Sequence, residues 1–260
     1  MLRFAWTTEG SFAFTDEGTG PTVLLTHGLP GSVRDFRWLC SALAGRVRSV
    51  RVEQPGFGGT PMSTETGTKL AHRARFVLDA ADSLGLERFA VIGHSIGGPL
   101  AMAVAARAPE RVSALGLLAS VGLHPHRMAR RAKRRPDAAR LLTWPPVRRW
   151  ILPSMREGFR RAGFPSSLGD GDMIQSARVF ASLDFSDIRE AAFAVRAPTF
   201  IAWAEDDPLV ESAVGLSLSQ VLPTGPRLAF ATGGHNIQKT RAVELADALV
   251  AWLRLVSRTA

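Results

Sequence analysis

Short apolar runs alternate along this chain with segments whose apolar positions recur every three to four residues. The runs at 22–26 (TVLLT), 89–93 (FAVIG) and 112–119 are apolar almost throughout, as in strands buried on both faces. Residues 47–53 alternate and predict a further strand, and 3–7 with 11–15 predict an opening hairpin. Helical spacing predicts helices at 33–43, at 70–84 with Gly85 as its stop, and at 96–107. Strand patterns resume at 198–204 (PTFIAWA) and 227–231. The last helix is the most clearly amphipathic, with Ala242, Leu245, Ala246, Leu249, Val250, Leu253 and Val256 on one face. Strands alternating with helices predict an α/β fold, a mostly parallel sheet flanked by helices.

The alternation breaks between 121 and 197, where the chain is rich in arginine and punctuated by proline. The organisation expected is therefore one α/β core, residues 1–120 and 198–260, with a helical insertion at 121–197 after the sixth strand. With 46% hydrophobic and 21% charged residues, the composition suits an ordinary globular chain rather than a disordered or fibrous one. No apolar run approaches the ~20 residues of a membrane span, and residues 1–10 lack a signal-like apolar stretch, so a cytoplasmic location is expected. A single cysteine, Cys40, excludes an internal disulfide and any multi-cysteine metal site. There is no HExxH pair and no GxxxxGK[ST] loop, and the stretch from Gly56 to Pro61 fails as a dinucleotide fingerprint.

Candidate chemistry begins at Gly93-His94-Ser95-Ile96-Gly97-Gly98. A serine in G-x-S-x-G, after a buried strand and before a helix, stands on a sharp turn with its hydroxyl exposed above the sheet. The pattern alone is weak; its strand-to-helix setting makes it specific. Such a nucleophile needs a base and an orienting acid, which in this architecture follow later in the chain, each after a strand. His235 follows the strand at 227–231, and Asp206 and Asp207 follow the one at 198–204; spacing alone does not choose between these acids. A developing oxyanion needs N–H donors. Ile96, next after Ser95, would supply one, and Leu29 in the loop His27-Gly28-Leu29-Pro30-Gly31-Ser32 the other, since Pro30 has no N–H. His27 is read as tying that loop down, and His72, His94, His124 and His126 as non-catalytic.

HGLPGS (27–32), PGFGGT (55–60), GHSIGG (93–98), WAEDDP (203–208) and GGH (233–235) together resemble the α/β-hydrolase fold family, in an order that covers nearly the whole chain. The resemblance implies an eight-stranded, mostly parallel sheet with a helical cap between strands six and seven, and a triad of Ser95, Asp207 and His235. In relatives the acid lies three residues after a glycine; Ala204 stands at that position here and points to Asp207. Related epoxide hydrolases and haloalkane dehalogenases use an aspartate where this chain has Ser95, and the former also use cap tyrosines, which this chain lacks. The expected function is a serine esterase (a carboxylic ester hydrolase) cleaving an ester, thioester or lactone of a small, fairly apolar substrate, with neither metal nor organic cofactor. C–C bond hydrolysis, cofactor-free perhydrolysis or lyase chemistry on the same triad is the alternative. From another class, so is a ligand receptor or anionic-surface-binding protein.

The net charge of +9 is concentrated in one stretch. Between Arg127 and Arg161 twelve arginines and lysines face two acids, Asp137 and Glu157. Arg127, Arg130, Arg131, Lys133, Arg134 and Arg135 read first as a solvated face of the insertion. The sharper readings are a site for an anionic substrate, or attachment to nucleic acid or an anionic membrane. No nucleic-acid motif accompanies the charge, so no nucleic-acid partner is expected. Trp144, Trp150, Phe159 and Phe164 are candidates to line a substrate pocket or the core of the insertion.

Overall fold

The computed structural model describes residues 1–62, 65–127, 129–130, 144–161 and 168–259. Arg131, Lys133, Arg134, Arg135 and Phe164 lie outside the described residues. Eight strands form one sheet: β1 (Arg3–Thr7), β2 (Gly10–Glu17), β3 (Thr22–Thr26), β4 (Arg48–Val52), β5 (Phe89–His94), β6 (Val112–Leu118), β7 (Thr199–Ala204) and β8 (Arg227–Phe230). Their order is β1-β2-β4-β3-β5-β6-β7-β8. The pairs β1/β2 and β2/β4 are antiparallel and the remainder parallel, as the alternation of elements predicts.

Period-two alternation divides the strand residues between two layers. Leu24, Val91, Leu117, Ile201 and Trp203 face one core with α2 (Leu70–Ser83), α3 (Gly97–Arg107) and α7 (Ser212–Val221). Val23, Leu25, Ile92, Phe200 and Ala202 face the other, with α1 (Arg37–Leu43) and α9 (Ala242–Thr259). In α9, Leu245, Ala246 and Leu249 are wholly buried, on the face that the spacing marked. The helix expected at 33–43 divides into a 3₁₀ turn, Val33–Phe36, and α1. The cause is local: the Ser32 hydroxyl accepts from the Arg34 N–H, and the Asp35 carboxylate accepts from the Ser32 N–H at 3.1 Å, which tightens that turn.

The order reverses at β3, whose neighbours are β4 and β5. The chain leaving β3 runs to α1 on one face, and the chain leaving β5 runs to α3 on the other. A crevice therefore opens at the carboxyl ends of these two strands, where open α/β sheets hold their ligands.

Between β6 and β7 lie α4 (Pro145–Arg161), α5 (Asp170–Ala181) and α6 (Phe185–Ala194). Leu152 of α4 and Met173 of α5 form a small separate cluster with Phe159 against it. In α6, Phe185, Ile188, Ala191 and Ala192 bury into the main core beside α3, so this last helix of the insertion packs as part of the sheet's helical layer.

Leu249→Ala is expected to lower unfolding free energy by about 2–5 kcal/mol, because it opens a void under a close-packed sheet. Val243→Ala, on the exposed side of the same helix, is expected to change it by less than ~0.5 kcal/mol. Urea unfolding of both variants checks the contrast.

Candidate active site

Ser95 sits at the turn between β5 and α3 with φ +55°, in the left-handed region that non-glycine residues avoid. Its backbone is pinned on both sides: its N–H donates to Leu118 O at 3.0 Å, and its carbonyl accepts from Gly98 and Val121. The turn is passable because Gly93 and Gly97 carry no side chain. A Cβ on Gly93 would collide with the Gly97 carbonyl, and one on Gly97 with the Thr26 and His27 carbonyls.

Three buried side chains form one line. The Ser95 hydroxyl donates to His235 Nε2 at 2.8 Å, and His235 Nδ1–H donates to Asp207 Oδ2 at 2.8 Å. These directions are assigned from the network: an ionised Asp207 can only accept. Burial alone pushes the Asp207 carboxyl up. His235 and the N–H groups of Val210 and Leu209 outweigh that and hold it below the usual carboxylate range.

Asp206 and Asp207, which spacing could not separate, do different things. Asp206 Oδ1 accepts from the N–H of Gly233 at 2.9 Å and of Gly234 at 2.7 Å, and so shapes the loop that carries His235. His94, read as non-catalytic, holds His235 from the other side: its Nε2–H donates to the His235 carbonyl at 2.9 Å. Its place inside the GHSIGG motif was the available signal. Burial, with His235 beside it, lowers His94 to about 3, so it is neutral when it makes this contact.

His27 ties the loop after β3: Nδ1–H donates to Gly28 O at 2.8 Å and Nε2 accepts the Gln54 N–H at 3.1 Å. Burial lowers it to about 4. Leu29 lines a cavity of about 290 Å³ together with Ser95, and Ile96 is buried next to Ser95 in the chain. His126 is buried with no hydrogen-bond partner on either ring nitrogen among the described residues, and burial lowers it to about 4.

The aromatic candidates of the insertion take different places. Trp144 is 59% and Trp150 75% exposed, so neither lines the cavity beside Ser95. Both lie at the start of an arginine-rich helix whose apolar face is spent elsewhere. Phe159 packs on the Leu152–Met173 cluster. Part of the basic segment is also not simply solvated: the Arg127 N–H donates to Glu211 Oε2 at 2.8 Å, and the Arg130 guanidinium meets Glu211 Oε1 at 2.6 Å. Among the described residues no cluster of His, Cys, Asp and Glu suits a metal ion, and no helix is long and apolar enough to cross a membrane.

Residues 21–187 match the family model described as the alpha/beta hydrolase fold, and the chain belongs to that family. Over 110 residues it is 36% identical to haloalkane dehalogenase 2 of Mycobacterium tuberculosis, a stretch covering 42% of this chain and only 38% of that protein. It is 27% identical over 265 residues to 2-hydroxy-6-oxononadienedioate/2-hydroxy-6-oxononatrienedioate hydrolase of Burkholderia vietnamiensis, covering 95% of this chain and 92% of that one. An esterase from Exiguobacterium antarcticum has the same fold, with a TM-score of 0.81 at 18% identity over 98% of this chain and 100% of that one. Hydrolases thus predominate among these similar proteins, and they differ in the bond they cleave.

Buried histidines are expected to make the fold acid-sensitive. His27, His94 and His126 lie well below 6.5 when folded, so the unfolded chain binds more protons between about pH 6.5 and 4. Asp35, raised by burial to about 7, acts in the opposite sense over pH 7 to 4 but offsets only one of the three. Stability is expected to fall on acidification from pH 6.5, by about 1.4 kcal/mol per pH unit for each uncompensated proton. Urea midpoints at pH 7.5, 6 and 5 measure the slope, and His126→Phe should flatten it by one proton.

Proposed function

We propose that this protein is a serine hydrolase that cleaves an ester-like bond through an acyl-enzyme. The observation that carries the reading is the pair of 2.8 Å hydrogen bonds joining buried Asp207, His235 and Ser95, with Ser95 also lining an open cavity. In the first half-reaction Ser95 Oγ adds to the substrate carbonyl while its proton passes to His235 Nε2. Collapse of the tetrahedral intermediate breaks the bond to the leaving group, which takes that proton. Water, deprotonated by His235, then releases the acid and restores Ser95. Asp207 keeps Nδ1 protonated and balances the imidazolium.

The N–H groups of Leu29 and Ile96 are proposed to hold the oxyanion. Residues 121–197 are proposed as a cap over the site, fastened to the acid loop through Glu211. The substrate is proposed to be small and fairly apolar. Dehalogenation by displacement at carbon is disfavoured, since it needs a carboxylate where Ser95 stands. C–C bond hydrolysis through the same serine is the second reading, supported by the full-length likeness to the Burkholderia vietnamiensis hydrolase.

A fluorophosphonate should label wild-type protein at Ser95, and Ser95→Ala should fold normally and lose at least ~10⁴-fold in kcat on 4-nitrophenyl esters. Retention of a tenth of wild-type activity would refute the assignment.

Asp207→Asn is expected to cost about 10²–10⁴-fold in kcat, because the imidazole loses the charge that fixes its tautomer. Asp206→Asn keeps an acceptor oxygen for Gly233 and Gly234 and should cost far less. Steady-state kinetics of the two variants rank the acids, and the opposite ranking would transfer the role to Asp206.

A further inference from the structure

The lining of the cavity beside Ser95 is chemically mixed. It combines buried Gly28, Leu29 and Ser95 with half-buried Trp38 and the exposed cations Arg37 and Lys239. The Arg37 guanidinium lies 3.3 Å from the centre of the Trp38 ring, and the Lys239 ammonium 4.8 Å from it. Two cations are thus held against one indole, each attracted to the ring and repelled by the other.

Neither cation has a carboxylate in ion-pair range among the described residues. The one acid lining the cavity, Asp35, forms no ion pair with either cation. Its Oδ2 accepts the Ser32 N–H at 3.1 Å, and burial pushes the carboxyl up to about 7 against the pull of that N–H and of Arg37. Gln238, 2% exposed, also lines this cavity, and its Oε1 has no hydrogen-bond partner among the described residues. A buried amide with an unsatisfied atom facing a cavity is stabilised by a polar ligand group. The described arginines of the insertion do not line this cavity; the Arg130 guanidinium is engaged by Glu211 and that of Arg127 by the Pro208 carbonyl.

We infer that the cavity is an anion subsite in which Arg37 and Lys239 seat a carboxylate at the far end of the substrate's acyl chain, while Ser95 meets its ester carbonyl. This rests on the reading of Ser95 as nucleophile and narrows the substrate class to half-esters of short dicarboxylic acids. The acyl portion is the part that stays bonded to Ser95 after the leaving group departs, so cations in the serine's own cavity act throughout turnover. Guanidinium and ammonium suit the task jointly, one offering a planar fork and the other a mobile point charge.

The test compares the mono-4-nitrophenyl ester of adipic acid with 4-nitrophenyl hexanoate, which has the same chain length without the terminal carboxylate. Calorimetric binding of adipate to Ser95→Ala is measured in parallel and does not depend on turnover. Wild-type protein is expected to favour the adipate ester. The double variant Arg37→Gln/Lys239→Gln should reduce the adipate-to-hexanoate ratio of kcat/KM about tenfold. The wild-type preference should shrink between 0.01 M and 0.5 M salt. The charge-preserving variant Arg37→Lys/Lys239→Arg should restore most of the ratio. Adipate should bind Ser95→Ala, and binding should be lost when the two cations are also replaced. Absence of adipate binding, or a ratio indifferent to both charges, would overturn the subsite while leaving the nucleophile standing. Adipate binding without fluorophosphonate labelling of Ser95 would uphold the anion site and refute the nucleophile instead.

Discussion

Ser95 is held in a backbone conformation that costs on the order of 1–3 kcal/mol in isolation, and the surrounding structure is arranged to hold it. Three backbone hydrogen bonds, to Leu118, Gly98 and Val121, fix the turn from β5 into α3. Gly93 and Gly97 let β5, α3 and the end of β3 approach more closely than any side chain permits. The result is a hydroxyl raised above the carboxyl edge of the sheet, at the point where the strand order reverses and a crevice is unavoidable. If the turn relaxed, Ser95 would lose its 2.8 Å contact with His235, and the rest of the site would have nothing to act through.

The other members of the line are positioned by a second set of polar contacts. Adjacent acids divide the work: Asp207 faces the imidazole, while Asp206 gathers the N–H groups of the glycines before it. His94 grips the His235 backbone from below Ser95, so nucleophile and base are fastened to each other by main chain as well as by side chain. His94 performs this as a neutral group, because burial and the neighbouring His235 lower it to about 3.

Electrostatics around the site do not follow the density of charge along the chain. Most of the excess positive charge lies in the insertion, yet near the acid loop the Arg130 guanidinium is spent on Glu211 and the Arg127 guanidinium donates to the Pro208 carbonyl. The pair that reaches the cavity, Arg37 and Lys239, is drawn from α1 and from α8 (Ile237–Thr240), two short elements more than two hundred residues apart. Folding brings these two cations to one cavity although most of the chain's excess charge lies elsewhere.

How much of this was legible in the sequence follows from which features are local. Strands β3, β5, β6 and β7 are written as apolar runs because parallel strands are buried on both faces, and α9 as a period because one side of it meets water. Ser95 and His235 were visible because a nucleophile turn and a glycine-flanked loop leave local signatures. Other features are relations between distant segments, and one-dimensional spacing carries no information about them. Spacing alone left Asp206 and Asp207 open, and the family resemblance pointed to Asp207; the task of Asp206, holding the Gly233 and Gly234 N–H groups, depends on a loop 27 residues further on. The exposure of Trp144 and Trp150 depends on which face of the insertion finds a partner. Membership of α6 in the main core depends on α3 lying beside it. The sequence by itself determined the sheet, its flanking helices and the residue types available for chemistry, since burial period and turn geometry act over a few residues. Only the tertiary structure decided which of those residues face one another, because that is settled by packing the two layers on opposite faces of a sheet whose strand order reverses at β3.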